Sequence, residues 1–272
     1  MNYEEKKQAL QNYLLELAAK DVVVAFSGGV DSSLLLYMCC EAARKTGSKV
    51  YAVTMQTDLH PHGDVDIARK VAEEAGAQHV VVQLNELDAA GIRMNPVDRC
   101  YRCKRCLFGR MQGLAEELGA AYVLEGTNED DLHIYRPSNK ALKEMGILSP
   151  YAKIGVTKVE IRQLADEYKV STAHRASTPC MATRFPYNTE LSSEMMMKVA
   201  GVEEWMREKG FYNVRLRVHG DVGRLEVDQA DMPRFVEHGK EIVARIKQTG
   251  IDYVTLDLEG YRKGSMDIHV KK

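Results

Sequence analysis

Through the first two-thirds of the chain, short unbroken apolar runs alternate with longer stretches in which apolar residues return every third or fourth position. The runs predict strands over 22–27, 50–55, 79–83 and 121–125, and the longer stretches predict helices over 4–19, 32–45, 65–76, 104–118 and 158–168. A run such as Val22-Val23-Val24-Ala25-Phe26 has no polar face, so both of its sides need cover. Strands of this kind separated by helices of this length imply an α/β class, with a parallel sheet between helical layers. Ligands in such sheets bind beyond the carboxyl ends of the strands.

After Asn188 the pattern changes. A helix is predicted over 191–208, with Val199, Val202 and Met206 at helical spacing, followed by strands over 212–219 and 222–228 joined as a hairpin at His219-Gly220-Asp221. A helix over 230–247 carries Met232, Phe235, Val236, Ile242, Val243 and Ile246 on one stripe, and strand patterns at 252–257 and 265–270 close the chain. This reads as a smaller α+β domain, with the boundary near 186–190 at Pro186-Tyr187-Asn188, giving domains of 1–188 and 189–272.

Composition narrows the class. The chain has 272 residues, 45% of them hydrophobic, and a mean hydropathy of -0.33, as expected of a packed globular protein. No apolar stretch approaches the roughly 20 residues that a membrane helix needs, and Met1 to Lys20 is a charged amphipathic helix without a signal-peptide core, so a cytoplasmic protein with no membrane partner is expected. The net charge of -2, with acids and bases well mixed, argues against broad binding of nucleic acid. Six cysteines without a secretory signal suggest reduced thiols, metal ligands or chemistry rather than a disulfide scaffold.

Directly behind the first strand stands Ser27-Gly28-Gly29-Val30-Asp31-Ser32-Ser33. Two glycines let the backbone turn sharply and point amides inward, and the helix starting near Asp31 aims its positive end at the same place. That makes a phosphate-sized nest without a lysine, unlike the P-loop of common NTPases. It resembles the pyrophosphate loop of ATP pyrophosphatases, the alternative being an ordinary glycine turn. Glu125-Gly126-Thr127-Asn128 follows a later strand at the same end of the sheet.

Three further groups carry chemistry. Cys100, Cys103 and Cys106 recur at a spacing of three among Arg99, Arg102, Lys104 and Arg105. Two sulfurs so spaced suit one metal, and flanking cations favour thiolate; incidental cysteines at a helix start are the alternative. Cys180 lies in the turn-like Pro179-Cys180-Met181-Ala182-Thr183-Arg184-Phe185-Pro186-Tyr187, where Arg184 suits a phosphate or carboxylate and also favours thiolate. A small buried apolar role is the bland reading of such a cysteine, and it is the one adopted for Cys39 and Cys40. In Val214-Arg215-Leu216-Arg217-Val218, period two places both arginines on one face, either a solvated surface or a site for an anionic substrate.

Together these segments resemble the LarE family, the ATP-dependent sulfur transferases of nickel-pincer cofactor biosynthesis in the PP-loop superfamily. The resemblance runs from about Val22 to Val227 and rests on Ala25 to Ser32, Asn95 to Lys104, Glu125 to Asp131, Arg136-Pro137, Ser149-Pro150, Lys158 with Glu160-Ile161-Arg162, Pro179 to Tyr187, and Arg215-Leu216-Arg217. It implies a PP-loop domain followed by a C-terminal domain for substrate binding and oligomerisation. It further implies that ATP activates a carboxylate of a pyridinium dicarboxylate mononucleotide as an acyl adenylate, releasing pyrophosphate, and that sulfur then replaces the carboxylate oxygen. By the same resemblance the nucleotide is held by Ala25, Ser27, Gly28, Gly29, Asp31 and Ser32, by Gly126 and Thr127, and by backbone at Val53, Thr54 and Met55 facing the adenine. Asp31 positions Mg2+, Lys158 neutralises phosphate charge, and Arg184, Arg215 and Arg217 meet the substrate. In one branch of the family a cysteine matching Cys180 gives up its sulfur and becomes dehydroalanine. In another, three cysteines hold a [4Fe-4S] cluster; Cys100, Cys103 and Cys180 supply that count, which favours the cluster. The partners implied are a small mononucleotide and further copies of the chain. Rival readings on the same activation chemistry are a tRNA-thiolating enzyme and an amidating synthetase; a nucleotide or metal sensor is the non-catalytic rival.

Overall fold

The computed structural model describes residues 1–60, 63–133, 137–175, 179–262 and 264–267. They form two compact units. One holds 1–57, 63–90 and 98–175, and the other 58–60, 91–97, 179–262 and 264–267. Among the described residues no helix is long and apolar enough to cross a membrane.

In chain order the first unit contains α1 (Tyr3–Leu17), β1 (Val22–Ala25), α2 (Val30–Thr46), β2 (Val50–Gln56), α3 (Gly63–Ala75), β3 (Gln78–Gln83), α4 (Glu86–Ala89), α5 (Arg99–Leu118), β4 (Tyr122–Leu124), a 3-10 turn (Glu129–Leu132), α6 (Pro137–Glu144), α7 (Pro150–Ile154) and α8 (Lys158–Glu167). The four strands pair in the order β3-β2-β1-β4, every pair parallel, as the apolar runs require. Both faces are covered. Val22, Val24 and Ala52 pack with Leu10, Leu14, Leu34, Leu35, Ala68 and Leu164, whereas Val23, Tyr51, Val53 and Val123 pack with Phe108, Met111 and Ala115 of α5. Each fully buried valine contributes roughly 1.5–3 kcal/mol, so β1 is the anchor of the unit.

The strand order sets the ligand end. β1 leads to β2 on one side, while β4 returns on the other. The loops after β1 and β4 therefore diverge at a topological switch point, which opens a crevice at their carboxyl ends. Residues 26–29 and 125–128 line it.

The second unit begins its helical part with a 3-10 turn (Met181–Arg184) and α9 (Ser193–Glu208). Then come β5 (Val214–His219), β6 (Val222–Val227), a 3-10 turn (Gln229–Asp231), α10 (Met232–Glu237), α11 (Gly239–Lys247) and β7 (Tyr253–Leu256). β5 and β6 are antiparallel around Gly220, whose φ of 64° suits the two-residue turn, and β7 joins β6 in parallel. The helix expected over 230–247 is broken. Its chain turns at His238, and although Phe235, Ile242 and Ile246 are buried, Val236 is exposed. In the strand expected over 265–270, Ser265 and Met266 form a turn, and residues 268–270 lie outside the described residues.

Candidate active site

The loop of the first unit is built around close approaches. Gly28 has a φ of 71°, and a Cβ there would stand 3.3 Å from the Ala68 backbone of α3. On the other side of the crevice, a Cβ on Gly126 would stand 3.1 Å from Asp31 Cβ and 3.3 Å from Ser32 N. Glycine at both places lets the loops come this near without a neighbour giving way. Gly29 caps α2 without a side-chain hydrogen bond, so its first-turn amides remain open to an anion. Ser32 Oγ donates to Gly29 O (3.1 Å) and accepts from Ser27 N (3.3 Å), which holds the nest in shape.

Asp31 stands at the centre. Asn128 Nδ2 donates to its Oδ1 (3.2 Å), the Lys158 ammonium is paired with its Oδ2, and buried Tyr151 donates to its backbone carbonyl (3.0 Å). Lys158 reaches this position because Thr157 and Glu160 form a capping box that starts α8 there, and because its own amide donates to Asp130 Oδ2 (2.6 Å). The Asp31 side chain is 27% exposed, and a single partly exposed carboxylate beside an amide nest fits a magnesium ion held chiefly by phosphate oxygens.

The remaining expected nucleotide residues are less open. Thr127 is buried; its amide and hydroxyl both donate to Glu125 (3.0 and 2.8 Å), which also accepts from Ser149. Val53 O accepts from Phe26 N (2.9 Å), and Thr54 Oγ1 donates to Phe26 O (2.8 Å) and contacts His79 Nε2 (2.9 Å). Burial, with Arg69 nearby, lowers the His79 pKa. These contacts lock the end of β2, where Met55 follows, to the end of β1, where Ala25 precedes the loop. Arg175 adds a cation that the sequence reading passed over: it pairs with Asp64 (2.5 Å) and donates to Gly28 O (3.4 Å).

α5 begins five residues before its expected start and so takes in Cys100 and Cys103, one turn apart on a single helix, with Cys106 one turn further. The surrounding cations do not act as expected on Cys106. Burial and the Glu86 charge push its thiol up, because the cations point elsewhere: Arg102 pairs with Asp98 (2.8 Å), Arg105 with Glu144 (3.5 Å), and Lys104 lies over the Phe108 ring. No disulfide links the six cysteines, and among the described residues no group of three or more His, Cys, Asp or Glu side chains is arranged to hold a metal ion. Cys39 and Cys40 are buried packing residues of α2, and burial pushes Cys40 up to about 11.

In the second unit Cys180 opens the turn Met181–Arg184. Arg184, expected to meet substrate, has no exposed surface. It grips Glu203 of α9 in a bidentate pair (Nε to Oε1 2.9 Å, Nη2 to Oε2 2.7 Å). Burial alone would raise the Glu203 carboxyl, but the Arg184 charge and hydrogen bonds override this and hold it below the usual carboxylate range. Glu203 also accepts from Leu216 N (2.9 Å), between the two arginines of β5.

Those arginines are not on a solvated surface. Arg215 and Arg217 are 3% and 5% exposed, because the second face of the sheet is covered as well. Arg217 pairs with Glu226 of β6 (2.9 Å), and Arg215 lies over the Tyr261 ring (5.1 Å). Burial and the neighbouring Arg184 charge draw the Arg215 guanidinium below its ordinary value. Three buried guanidiniums against the buried carboxylates Glu203 and Glu226 leave positive charge for an anion. A glutamate among the buried positions Val199, Val202 and Met206 of α9 was the sequence signal for an interior partner.

A family model described as NAD synthase matches residues 2–95. The chain is 34% identical over 266 residues to an uncharacterised protein of Synechocystis, covering 97% of each. It is 33% identical over 262 residues to the pyridinium-3,5-bisthiocarboxylic acid mononucleotide synthase of Lactiplantibacillus plantarum, covering 95% of this chain and 94% of that one. A shorter likeness, 26% identity over 59% of this chain and 52% of the other, is to the tRNA-specific 2-thiouridylase of Zymomonas mobilis.

Proposed function

The chain belongs to the LarE family of PP-loop ATP-using enzymes, and we propose that it activates a carboxylate of pyridinium-3,5-dicarboxylate mononucleotide with ATP and replaces the activated oxygen with sulfur. The observation that carries the activation step is Asp31, paired with Lys158 and Asn128 at the uncapped start of α2. A carboxylate resists sulfur attack because its leaving group would be oxide. Its oxygen attacks the α-phosphorus of ATP, the bond to the β-phosphate oxygen breaks, and pyrophosphate leaves with the electron pair.

The open amides of residues 30–32 then hold the developing charge, and Lys158 exchanges Asp31 for phosphate. Asp31, released, would hold magnesium, which when bound offsets the charge on the departing pyrophosphate. Arg215 and Arg217 serve the substrate's phosphate or second carboxylate.

Sulfur delivery falls to Cys180. Its thiolate adds to the acyl adenylate and expels AMP, giving a thioester. Loss of the cysteine Cα proton and cleavage of the Cβ–S bond then release the thiocarboxylate and leave dehydroalanine. The reading is tested by pyrophosphate release with each candidate acceptor. Release that needs the mononucleotide and disappears in Asp31→Ala supports it. Release that occurs only with tRNA or only with ammonia removes it.

A further inference from the structure

The turn that carries Cys180 is held from the inside by side chains of three separate segments. Arg184, while gripping Glu203, directs its Nη1 at Pro179 O (3.0 Å), Cys180 O (3.4 Å) and Thr183 Oγ1 (2.9 Å). Thr183 Oγ1 in turn donates to Cys180 O (2.8 Å). Arg217 of β5, anchored on Glu226, donates to Thr183 O (2.9 Å). Asn95 donates from Nδ2 to Phe185 O (3.1 Å) and Pro186 O (2.8 Å), and holds a left-handed φ of 47° to do so. The carbonyls of Pro179, Cys180, Thr183, Phe185 and Pro186 are all bound to donors that are buried in this unit.

Stability alone does not account for this arrangement. Burying an ion pair costs several kcal/mol per ion before its attraction is counted, and apolar replacements of similar volume usually serve a core as well or better. What the pairs supply is one fixed backbone geometry for the carbonyls of a short turn. A carboxylate that reaches Arg184 through both oxygens and Leu216 N through one locks the turn to α9 and β5 together.

We infer that Arg184, clamped by Glu203 and aided by Thr183 and Asn95, is a positioning residue that fixes Cys180 for sulfur delivery and makes no contact with the substrate. The inference rests on the function proposed above. Sulfur transfer demands that the thiol meet a single acyl carbon, and a misplacement of about 1 Å can cost about 100-fold in rate. Adenylate formation makes no such demand on Cys180.

The two steps are therefore expected to part company in Arg184→Lys, which keeps the charge but loses the fork, and in Thr183→Ala, which removes one hydroxyl and leaves the ion pair intact. Under single-turnover conditions with ATP, magnesium and the mononucleotide, both pyrophosphate and sulfur-bearing product are measured. The ratio of product to pyrophosphate is expected to fall about tenfold or more in each variant. The ratio is read only under conditions where Trp205 fluorescence shows the second unit folded, because loss of that unit alone would also lower it. A ratio unchanged from wild type, with both yields reduced in step, overturns the positioning role. So does an unchanged ratio with a raised mononucleotide concentration for half-maximal yield, which marks a substrate contact. A wild-type protein that releases pyrophosphate without sulfur-bearing product removes the function reading itself, and this inference with it.

Discussion

Replacing Glu203 with alanine strips the carboxylate from a buried guanidinium and leaves the charge of Arg184 in a site with no exposed surface. Breaking a buried pair in this way costs about 3–5 kcal/mol, and Leu216 N loses its acceptor at the same time. At roughly 4–8 °C per kcal/mol for a unit of about 100 residues, Tm should fall on the order of 20 °C. Trp205, the one tryptophan of the chain, lies on the same helix and reports the transition of the second unit directly. Urea melts followed by its fluorescence give the loss for Glu203→Ala, for Arg184→Met and for the double variant Arg184→Met with Glu203→Leu. The double variant should recover part of the stability lost by Glu203→Ala, because the Arg184 charge goes with its partner while Arg215 and Leu216 N still lack Glu203. A loss below about 1 kcal/mol in Glu203→Ala, the size found for exposed pairs, would refute the reasoning.

The same pair predicts the response to acid. The folded pKa of Glu203 lies below its ordinary value of 4.5, so its contribution is complete above that value and disappears as pH falls through the folded pKa. Tm against pH should drop more steeply below about 4.5 in the wild type than in Glu203→Gln. In the first unit, Gly28→Ala forces an L-residue into a left-handed conformation, at about 1–2 kcal/mol, and pushes a methyl onto the Ala68 backbone; pyrophosphate release should fall further than stability does. Lys158→Met removes a half-exposed pair and should shift unfolding by less than about 1 kcal/mol. Its pyrophosphate release should nevertheless fall tenfold or more; equal losses of stability and release would mean that Lys158 is merely structural.

Much of the first unit could be read from pattern alone, because continuous runs such as Val22-Val23-Val24 have one stable solution, a parallel strand covered on both faces. The start of α5 was hidden for the opposite reason: Arg99 to Cys106 carries charges and cysteines rather than an apolar stripe, so nothing in the period announces a helix. The break at His238 escaped notice because Ile242 and Ile246 continue the spacing of Phe235 across it. At the site, close-packed glycines and Asp31 were legible because a nest needs those residue types. Asn128 and Glu203 act through Asp31 and Arg184, which lie on other elements, and their pairings depend on the fold. Arg215 and Arg217 show the limit of period two, which separates two faces of a strand without saying that either one meets water.

The account depends most on sulfur entering an activated carboxylate through Cys180, and mass spectrometry of one anaerobic turnover tests that directly. With ATP, magnesium and the dicarboxylate mononucleotide, the account predicts a thiocarboxylate product matched one for one by AMP. It also predicts a protein lighter by one hydrogen sulfide, with the loss mapped to Cys180. AMP and pyrophosphate formed with no sulfur in the product, or a sulfur-bearing product made equally well by Cys180→Ala, would contradict it.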